Sequence, residues 1–416
     1  MGRMIAFVFA IVLGTALTSS CGIVLGTVCV AGACSAEEEQ SLFADPGGLL
    51  ILTGAAGGGG SSGDAGDGDS SGNGSGSGGG DLPGLFIVGF SNDSSNVPVP
   101  GYWHDDIWNE LPRLDVTKSG WARDVATSGT DLYIAGDTID SSNLRVAGYW
   151  LNGTWVALPP LETGKNCWAH AIKINGSDIV VGGSCSNSMT NERGVIWTNG
   201  VVTALSTLSA VHSTRVISLT IAGGSVYAAG FTGSATTITA RPTYWKDGVR
   251  TDLATVSDEA HWVYGLALSG SDVVTVGFAR NADSAAQGAR WTNTASPHIY
   301  TPYETYAHSP YVSPCTATGI VVDGGDLKIS GYCRNAADFR NIPLYWVNNT
   351  RNELPRSDVT RHAYANDIFI SGGDVYVTGY ESIVPNTPVY WLNGVRTTLP
   401  TIDATRNSET YRVLKN

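Results

Sequence analysis

Basic residues are scarce in this chain. Its 24 lysines and arginines are outnumbered by 37 aspartates and glutamates, which gives a formal net charge of −13 and a pI near 4.9. An acidic chain repels nucleic-acid phosphates, and no basic aromatic cluster or recognition motif offsets that repulsion. The composition therefore argues against nucleic acid as a partner.

Histidines and long apolar runs are also scarce. The seven histidines are scattered without the spacing of a metal site, and no membrane-length apolar run follows the N-terminus. Sialidase Asp boxes and the WD signature are absent as well. We therefore expect no metal, no cofactor and no catalytic residues, and membrane contact only through the N-terminus.

A tryptophan recurs seven times, at separations of 45 to 55 residues: Trp103, Trp150, Trp197, Trp245, Trp291, Trp346 and Trp391. A glycine precedes each one at a similar distance: Gly89, Gly136, Gly182, Gly230, Gly277, Gly331 and Gly379. A period in the forties with several β-rich runs per unit is typical of a propeller blade. The sequence predicts an all-β, seven-bladed β-propeller. Strict repetition favours the tryptophans as packing between blades over sugar-stacking platforms.

One repeat, between Trp121 and Pro159, predicts four strands separated by Gly and Asn-Gly turns. They are Ala122–Ser128, Leu132–Gly136, Val146–Leu151 and Thr154–Leu158. The chain ends are incomplete repeats. After Pro83 the chain begins with a second strand, Leu85–Phe90, and it ends with a lone first strand, Tyr411–Lys415. We expect the C-terminal strand to join the N-terminal three strands and close the ring over residues 84–416.

Four cysteines fall in two pairs with the same spacing. Cys167 and Cys185 are 18 residues apart, as are Cys315 and Cys333, and each pair is symmetric about the turn between a first and a second strand. This pattern predicts two disulfides within blades and hence an oxidising compartment.

The N-terminal region, residues 1–34, has the features of an export signal. Arg3 precedes an apolar stretch from Met4 to Leu17 that is too short to span a bilayer comfortably. The following Leu17-Thr18-Ser19-Ser20-Cys21 resembles the lipobox of bacterial lipoproteins, which implies lipidation at Cys21, with Cys34 as the alternative. Ordinary cleavage after Ala33 and an uncleaved anchor are two other interpretations.

Residues 35–83 separate this signal from the first blade. The segment is rich in Gly, Ser and Asp, a composition that does not fold. We expect a flexible tether that holds the propeller away from a membrane.

The repeat resembles a distant kelch-type blade, with Asp131-Leu132-Tyr133-Ile134-Ala135-Gly136 leading to an aromatic third strand and then to Leu158-Pro159. It is also similar to uncharacterised bacterial repeat proteins, through Val375 to Tyr380 and Tyr390 to Gly394. The resemblance implies a bacterial propeller and no catalytic residues.

The predicted long loops share one face of the ring, and loops on a rigid scaffold commonly carry binding residues. We predict connections of eight to thirteen residues there, both from second to third strands and from each blade to the next. The candidate contacts are Trp121, Arg123, Trp168, His170, Trp262, Tyr264, Thr318 and Asn366, with Tyr300, Tyr303 and Tyr306 in a long Pro-Tyr loop. The alternative for that loop is an ordered cap over the blade edge.

Two aspartates, Asp124 and Asp367, occupy equivalent positions on either side of the closing blade, and Arg412 falls between them in the repeat register. We interpret the three as a lock that fastens the closing strand, in preference to a paired-acid catalytic site. The sequence therefore predicts an exported, lipid-anchored, monomeric propeller of the cell envelope, at the outer membrane or surface or else secreted, which binds a protein or glycan. The alternatives are a carbohydrate-active hydrolase or lyase and an envelope-complex scaffold.

Overall fold

The structure is a computed structural model of the 416-residue chain. It describes residues 82–188, 191–208, 213–233, 240–257, 260–280, 286–299, 315–335, 338–382 and 385–416. The predicted signal region, with Cys21 and Cys34, lies outside the described residues. So does the predicted tether, except for its last two residues, Leu82 and Pro83.

Every regular element among the described residues is a β-strand. The strands are β1 (Leu85–Asn92), β2 (Pro98–His104), β3 (Ile107–Glu110), β4 (Gly120–Ser128), β5 (Asp131–Ile139), β6 (Arg145–Leu151), β7 (Thr154–Ala157), β8 (Cys167–Asn175), β9 (Asp178–Ser186), β10 (Glu192–Thr198), β11 (Val201–Ala204), β12 (Ser213–Ala222), β13 (Ser225–Gly233), β14 (Arg241–Lys246), β15 (Val249–Asp252), β16 (Trp262–Ser269), β17 (Asp272–Arg280), β18 (Ala286–Thr292), β19 (His298–Ile299), β20 (Cys315–Asp323), β21 (Asp326–Arg334), β22 (Asn341–Val347), β23 (Thr350–Glu353), β24 (His362–Ser371), β25 (Asp374–Ser382), β26 (Asn386–Leu392), β27 (Val395–Thr398) and β28 (Ser408–Lys415). The described part of the chain contains no helix long and apolar enough to span a membrane.

The strands form seven four-stranded antiparallel sheets in a ring, so the predicted seven-bladed propeller is confirmed. Six blades are continuous in sequence. They are blade 2 (β4–β7), blade 3 (β8–β11), blade 4 (β12–β15), blade 5 (β16–β19), blade 6 (β20–β23) and blade 7 (β24–β27). Blade 1 is composite, with the order β28-β1-β2-β3, and its register runs from Leu85 opposite Lys415 to Ser91 opposite Ser408. Pairing of the two chain ends therefore closes the ring.

The second and third strands are longer than predicted. β5 continues to Ile139 and β6 begins at Arg145, which leaves residues 140–144 as the connection. A five-residue loop is shorter than the predicted eight to thirteen residues, because the strand pairing extends past the repeat glycine to Ile139 opposite Arg145. Only the connections between blades, such as residues 158–166, keep the predicted length.

Tight turns lie at the opposite end of each blade. In blade 2, Asn152 and Gly153 take positive φ values of 50° and 82°, and Oδ1 of Asn152 accepts a hydrogen bond from the Leu132 backbone at 2.9 Å. Two positive φ angles are typical of a type I′ turn, whose backbone twist matches that of the two strands of a hairpin. The ring thus has a long-loop face and a short-turn face.

The repeated tryptophans pack between blades. Trp150 is fully buried, and its indole N–H donates to the Pro112 carbonyl, which follows the outermost strand of the preceding blade, at 2.9 Å. Five more indoles make the equivalent bond: Trp103 to Pro400, Trp197 to Pro159, Trp245 to Ser206, Trp291 to Ala254 and Trp391 to Pro355. These contacts support the interpretation of the tryptophans as packing residues.

Candidate functional site

The first strand of each blade, which is the innermost, has a β-bulge: one of its residues has no partner in the second strand. In blade 2 the register shifts between Ala122 and Asp124, and the other six blades shift at the equivalent place. The extra residues are Arg123, His170, Ile217, Tyr264, Thr318, Asn366 and Tyr411. They include five of the candidate contacts predicted from sequence. All seven are buried, with exposed fractions of at most 8% at Tyr264, so they form an inner layer of the ring.

This β-bulge accounts for the repeated glycine. A Cβ atom on Gly136 would lie 2.0 Å from the carbonyl oxygen of Trp121, at the start of the bulge, and no side chain fits that space. The equivalent glycines meet the same obstruction at 1.8 to 2.2 Å: Gly89, Gly183, Gly230, Gly277, Gly331 and Gly379. In blade 3 the repeat glycine is therefore Gly183 and not Gly182. Two adjacent glycines look alike in sequence, and only the pairing register separates them.

The mouth ring, as we define it, is the layer next to the bulges on the long-loop face. It contains the residue two positions before each bulge and the second-strand residue paired with it. The pairs are Trp121 and Asp137, Trp168 and Ser184, Arg215 and Phe231, Trp262 and Phe278, Thr316 and Tyr332, Tyr364 and Tyr380, and Glu409 and Phe90. Nine of the fourteen are aromatic, and most of these are only partly buried. The ring is thus an aromatic surface with a few charged groups.

The part of the ring in blades 2 and 3 is ionic. Arg123 Nε donates to the Asp137 carboxylate at 2.7 Å, and Arg145 makes a second short bond to the same fully buried carboxylate. The Arg145 guanidinium also lies 4.1 Å from the ring centroid of Trp121 and 5.8 Å from that of Trp168. These contacts fix both indoles in place. Sequence analysis missed Arg145, although its position at the start of a third strand could have placed it on the long-loop face.

Blades 4 and 5 contribute a cluster of packed aromatic rings. The centroids of Phe231 and Trp262 are 4.4 Å apart, and the ring of Phe278 lies nearly parallel to the indole with its centroid 6.2 Å away. Tyr264 lies beneath them, 5.9 Å from Phe278, and burial raises the pKa of its hydroxyl. Trp262 and Phe278 keep part of their surface exposed and offer apolar contact area.

Blades 6, 7 and 1 meet in what we call the tyrosine sector: Tyr332, Tyr364, Tyr380, Glu409 and Asn386. Tyr364 stacks on Tyr380 with centroids 4.7 Å apart, and Tyr332 approaches Tyr364 edge-on at 4.9 Å. Asn386 Nδ2 donates to Glu409 Oε1 at 2.7 Å. Burial raises the pKa of the Glu409 carboxyl to about 7. Sequence analysis named none of these five residues as a contact, because side-chain contacts between neighbouring blades cannot be read from the repeat.

The predicted closure residues meet at the composite blade. Arg412 is fully buried, with its guanidinium 3.3 Å from Asp367 and 3.6 Å from Asp124. Each carboxylate also accepts a backbone N–H of the next blade, Val413 at 3.1 Å for Asp367 and Ile172 at 2.8 Å for Asp124. Burial raises the pKa of Asp367 and lowers that of Arg412, and their mutual attraction opposes both shifts.

A fourth residue, which the sequence analysis missed, extends this network. Lys173 Nζ lies 3.6 Å from Asp124 Oδ2, so charges alternate from Asp367 through Arg412 and Asp124 to Lys173 across four neighbouring blades. Both aspartates face cations and backbone donors, which leaves neither carboxylate unpaired for acid–base chemistry.

The two predicted disulfides are confirmed. Cys167 bonds Cys185 and Cys315 bonds Cys333, each across directly paired first and second strands, with Cα atoms 4.1 and 4.0 Å apart. Both bridges lie next to the mouth ring, beside Trp168 and Thr316. They therefore anchor the strand ends that carry the ring.

The remaining predicted contacts, Tyr300, Tyr303 and Tyr306, lie outside the described residues. Within the described ranges, no three His, Cys, Asp or Glu side chains are grouped as metal ligands. Comparison with known proteins finds no family model that matches the chain and no curated protein with significant similarity to it.

Proposed function

We propose that this protein is a non-catalytic binding protein that uses the mouth ring on its long-loop face. A seven-bladed propeller fits a binding scaffold. The observation that carries the proposal is the partly exposed aromatic surface of the ring: Trp121, Trp168, Trp262, Phe278, Tyr332, Tyr364 and Tyr380. Aromatic side chains bury a large area at little cost in conformational entropy, which makes them effective contact residues.

The expected ligand is a protein or a glycan, since both present apolar faces and hydrogen-bonding groups to such a surface. The anchors of the mouth ring are held by Arg145, by neighbouring aromatic rings and by the adjacent disulfides. Preorganised anchors lose little freedom on binding, which favours affinity.

Export and membrane anchoring are part of the proposal. The two disulfides are consistent with an oxidising compartment. We further propose a bacterial envelope lipoprotein with distant kelch-like blades, lipidated at Cys21 or, failing that, Cys34, in which residues 35–83 act as a tether. Intact-mass measurement and fractionation after bacterial expression test this. A diacyl or triacyl mass on a chain starting at Cys21 supports lipidation, and an unlipidated secreted chain contradicts it.

A carbohydrate-active enzyme is the second candidate, because Glu409 has a raised pKa and lies among aromatic rings. A paired-acid mechanism needs a second carboxyl within about 10 Å on the other side of the substrate. In the described structure, the hydrogen-bond partner of Glu409 is the amide of Asn386 and its strand partner is Phe90, and neither supplies a second carboxyl. Scaffolding in an envelope complex is the third candidate.

The test is a binding screen against a glycan array and an envelope-protein array. Wild type is compared with Trp168→Ala and Trp262→Ala in the mouth ring and with Val201→Ser and Val395→Ser on the short-turn face, where both valines are exposed. We expect the ring variants to lose the ligand and the valine variants to keep it, with all four folded by circular dichroism. If only the valine variants lose the ligand, the proposal is contradicted. If hydrolysis products of a glycan are released, the enzyme is favoured.

A further inference from the structure

We propose that the tyrosine sector binds an ammonium group of the ligand, through the ring faces of its tyrosines and the carboxylate of Glu409. This inference rests on the proposed function and specifies the ligand chemistry of one sector of the mouth ring. Its basis is a carboxyl group that the fold places beside aromatic rings without a cationic partner.

Glu409 differs from the other acidic groups of this region. Asp137 pairs with Arg123 and Arg145, Glu192 pairs with Arg215, and Glu381 pairs with Arg396. Among the described residues Glu409 forms no salt bridge, and its hydrogen bond comes from the neutral amide of Asn386. A carboxylate removed from water without a cation is unfavourable. Glu409 nevertheless stays partly exposed, so a cation from outside can reach it.

The aromatic rings attract the same charge. Tyr380 stacks on Tyr364, and the Glu409 charge acts on both phenols and raises their pKa values further above the ordinary value. The phenols therefore stay neutral at physiological pH. The faces of neutral aromatic rings carry negative potential and bind cations, most effectively quaternary ammonium groups.

Neighbouring charges restrict where the cation binds. On the blade 6 side, Tyr364 faces Arg334 and stacks with His362, which contacts Arg340. The pKa of His362 is lowered by its burial and by these arginines, so the histidine is neutral near pH 7. On the side facing blade 1, Tyr380 has the phenol of Tyr411 and the carboxyl of Glu409 as neighbours, and Glu409 itself accepts from the uncharged amide of Asn386. The ammonium group is therefore expected between Tyr380 and Glu409, away from the arginines.

Binding should depend on pH. A cation binds the ionised form of Glu409, whose pKa is about 7. About one-tenth of the carboxyl is ionised at pH 6 and about nine-tenths at pH 8, so affinity should rise about tenfold over this interval. The arginines and the tyrosines do not change charge in this range.

The experiment is calorimetric titration of the full chain with choline, and with the neutral isostere 3,3-dimethylbutan-1-ol, at pH 6 and pH 8. Nα-acetyl-lysine amide forms a second arm, because a primary ammonium from a peptide has the same charge at both pH values. We expect choline or the lysine derivative to bind, with about tenfold higher affinity at pH 8, and the isostere to bind at least tenfold more weakly.

The variant Glu409→Gln keeps the shape and the acceptor oxygen but removes the charge. It should lose at least tenfold in ammonium affinity at pH 8 and all of the pH dependence, while the surface control Glu353→Gln leaves both unchanged. Equal binding of choline and its isostere, an unaffected Glu409→Gln, or binding of neither ammonium probe overturns the inference. The proposed function is judged separately, by the ligands that Trp168→Ala and Trp262→Ala lose.

Discussion

Removal of Arg412 should weaken the closure of the ring. Its guanidinium lies 3.3 Å from Asp367 and 3.6 Å from Asp124, with all three side chains at most 1% exposed. At an effective dielectric constant near 20, each attraction is about 5 kcal/mol before the cost of desolvation. The variant Arg412→Met fills a similar volume but leaves two buried carboxylates without this cation. Breaking a buried ion pair in this way costs about 3–5 kcal/mol.

The assay is thermal unfolding by circular dichroism. An unfolding entropy of about 2.1 cal/mol/K per residue, over a propeller of roughly 330 residues, converts that loss into a fall of about 4–7 °C in Tm. Arg361→Met is the control, because its pair with Asp358 is exposed. We expect the control to change stability by no more than about 0.5 kcal/mol.

A triple variant tests the cause. In Arg412→Met with Asp124→Asn and Asp367→Asn, the amide oxygens still accept the N–H groups of Ile172 and Val413, and no buried carboxylate is left unpaired. Lys173 loses its carboxylate partner, but its side chain is 16% exposed, so water can solvate the ammonium group. The Tm should return most of the way to the wild-type value. A single variant as stable as wild type, or a triple variant no better than the single one, would refute the closure role of the network.

Three further predictions concern the blades. The double variant Cys167→Ala/Cys185→Ala should lose about 3 kcal/mol of stability in urea denaturation; an unchanged midpoint contradicts this. Gly379→Ala should cost more than about 1 kcal/mol, because its Cβ would lie 1.8 Å from the Tyr364 carbonyl oxygen; wild-type stability would show that the bulge can relax. Burial raises the pKa of Glu409 from 4.5 to about 7, so the folded state binds more protons than the unfolded state between these values. On this account stability falls as the pH rises from about 4.5 to 7, and Glu409→Gln should flatten that slope in Tm measured against pH.

The repeat made the architecture predictable. The tryptophan and glycine periods specify the number of blades, and the incomplete repeats at the two chain ends specify the closing strand. The same register placed Arg412 between Asp124 and Asp367 and paired the cysteines. Each of these features is set by a residue's position within the repeat. Because the sequence contains seven copies of the repeat, that position can be read by comparing the copies.

The candidate site was less predictable, because it depends on contacts between blades. Sequence analysis placed five bulge residues on the long-loop face, but only the structure shows that they are buried next to the aromatic mouth ring. Tyr380 and Glu409 come together by contact between neighbouring blades, and Lys173 joins the ion network from the blade beyond Asp124. Strand ends were also misjudged, because pairing continues through residues such as Thr138 and Ile139 beyond the repeat glycine.

The most direct test of the central claim, that ligand binds on the long-loop face, is photocrosslinking from defined positions. p-Benzoylphenylalanine is placed at position 168 or 262 in the mouth ring and, as controls, at position 201 or 395 on the short-turn face. Each protein is then irradiated with the ligand identified in the array screen. Crosslinks from 168 or 262, with none from 201 and 395, are the predicted result. Crosslinks confined to 201 or 395 would contradict the account.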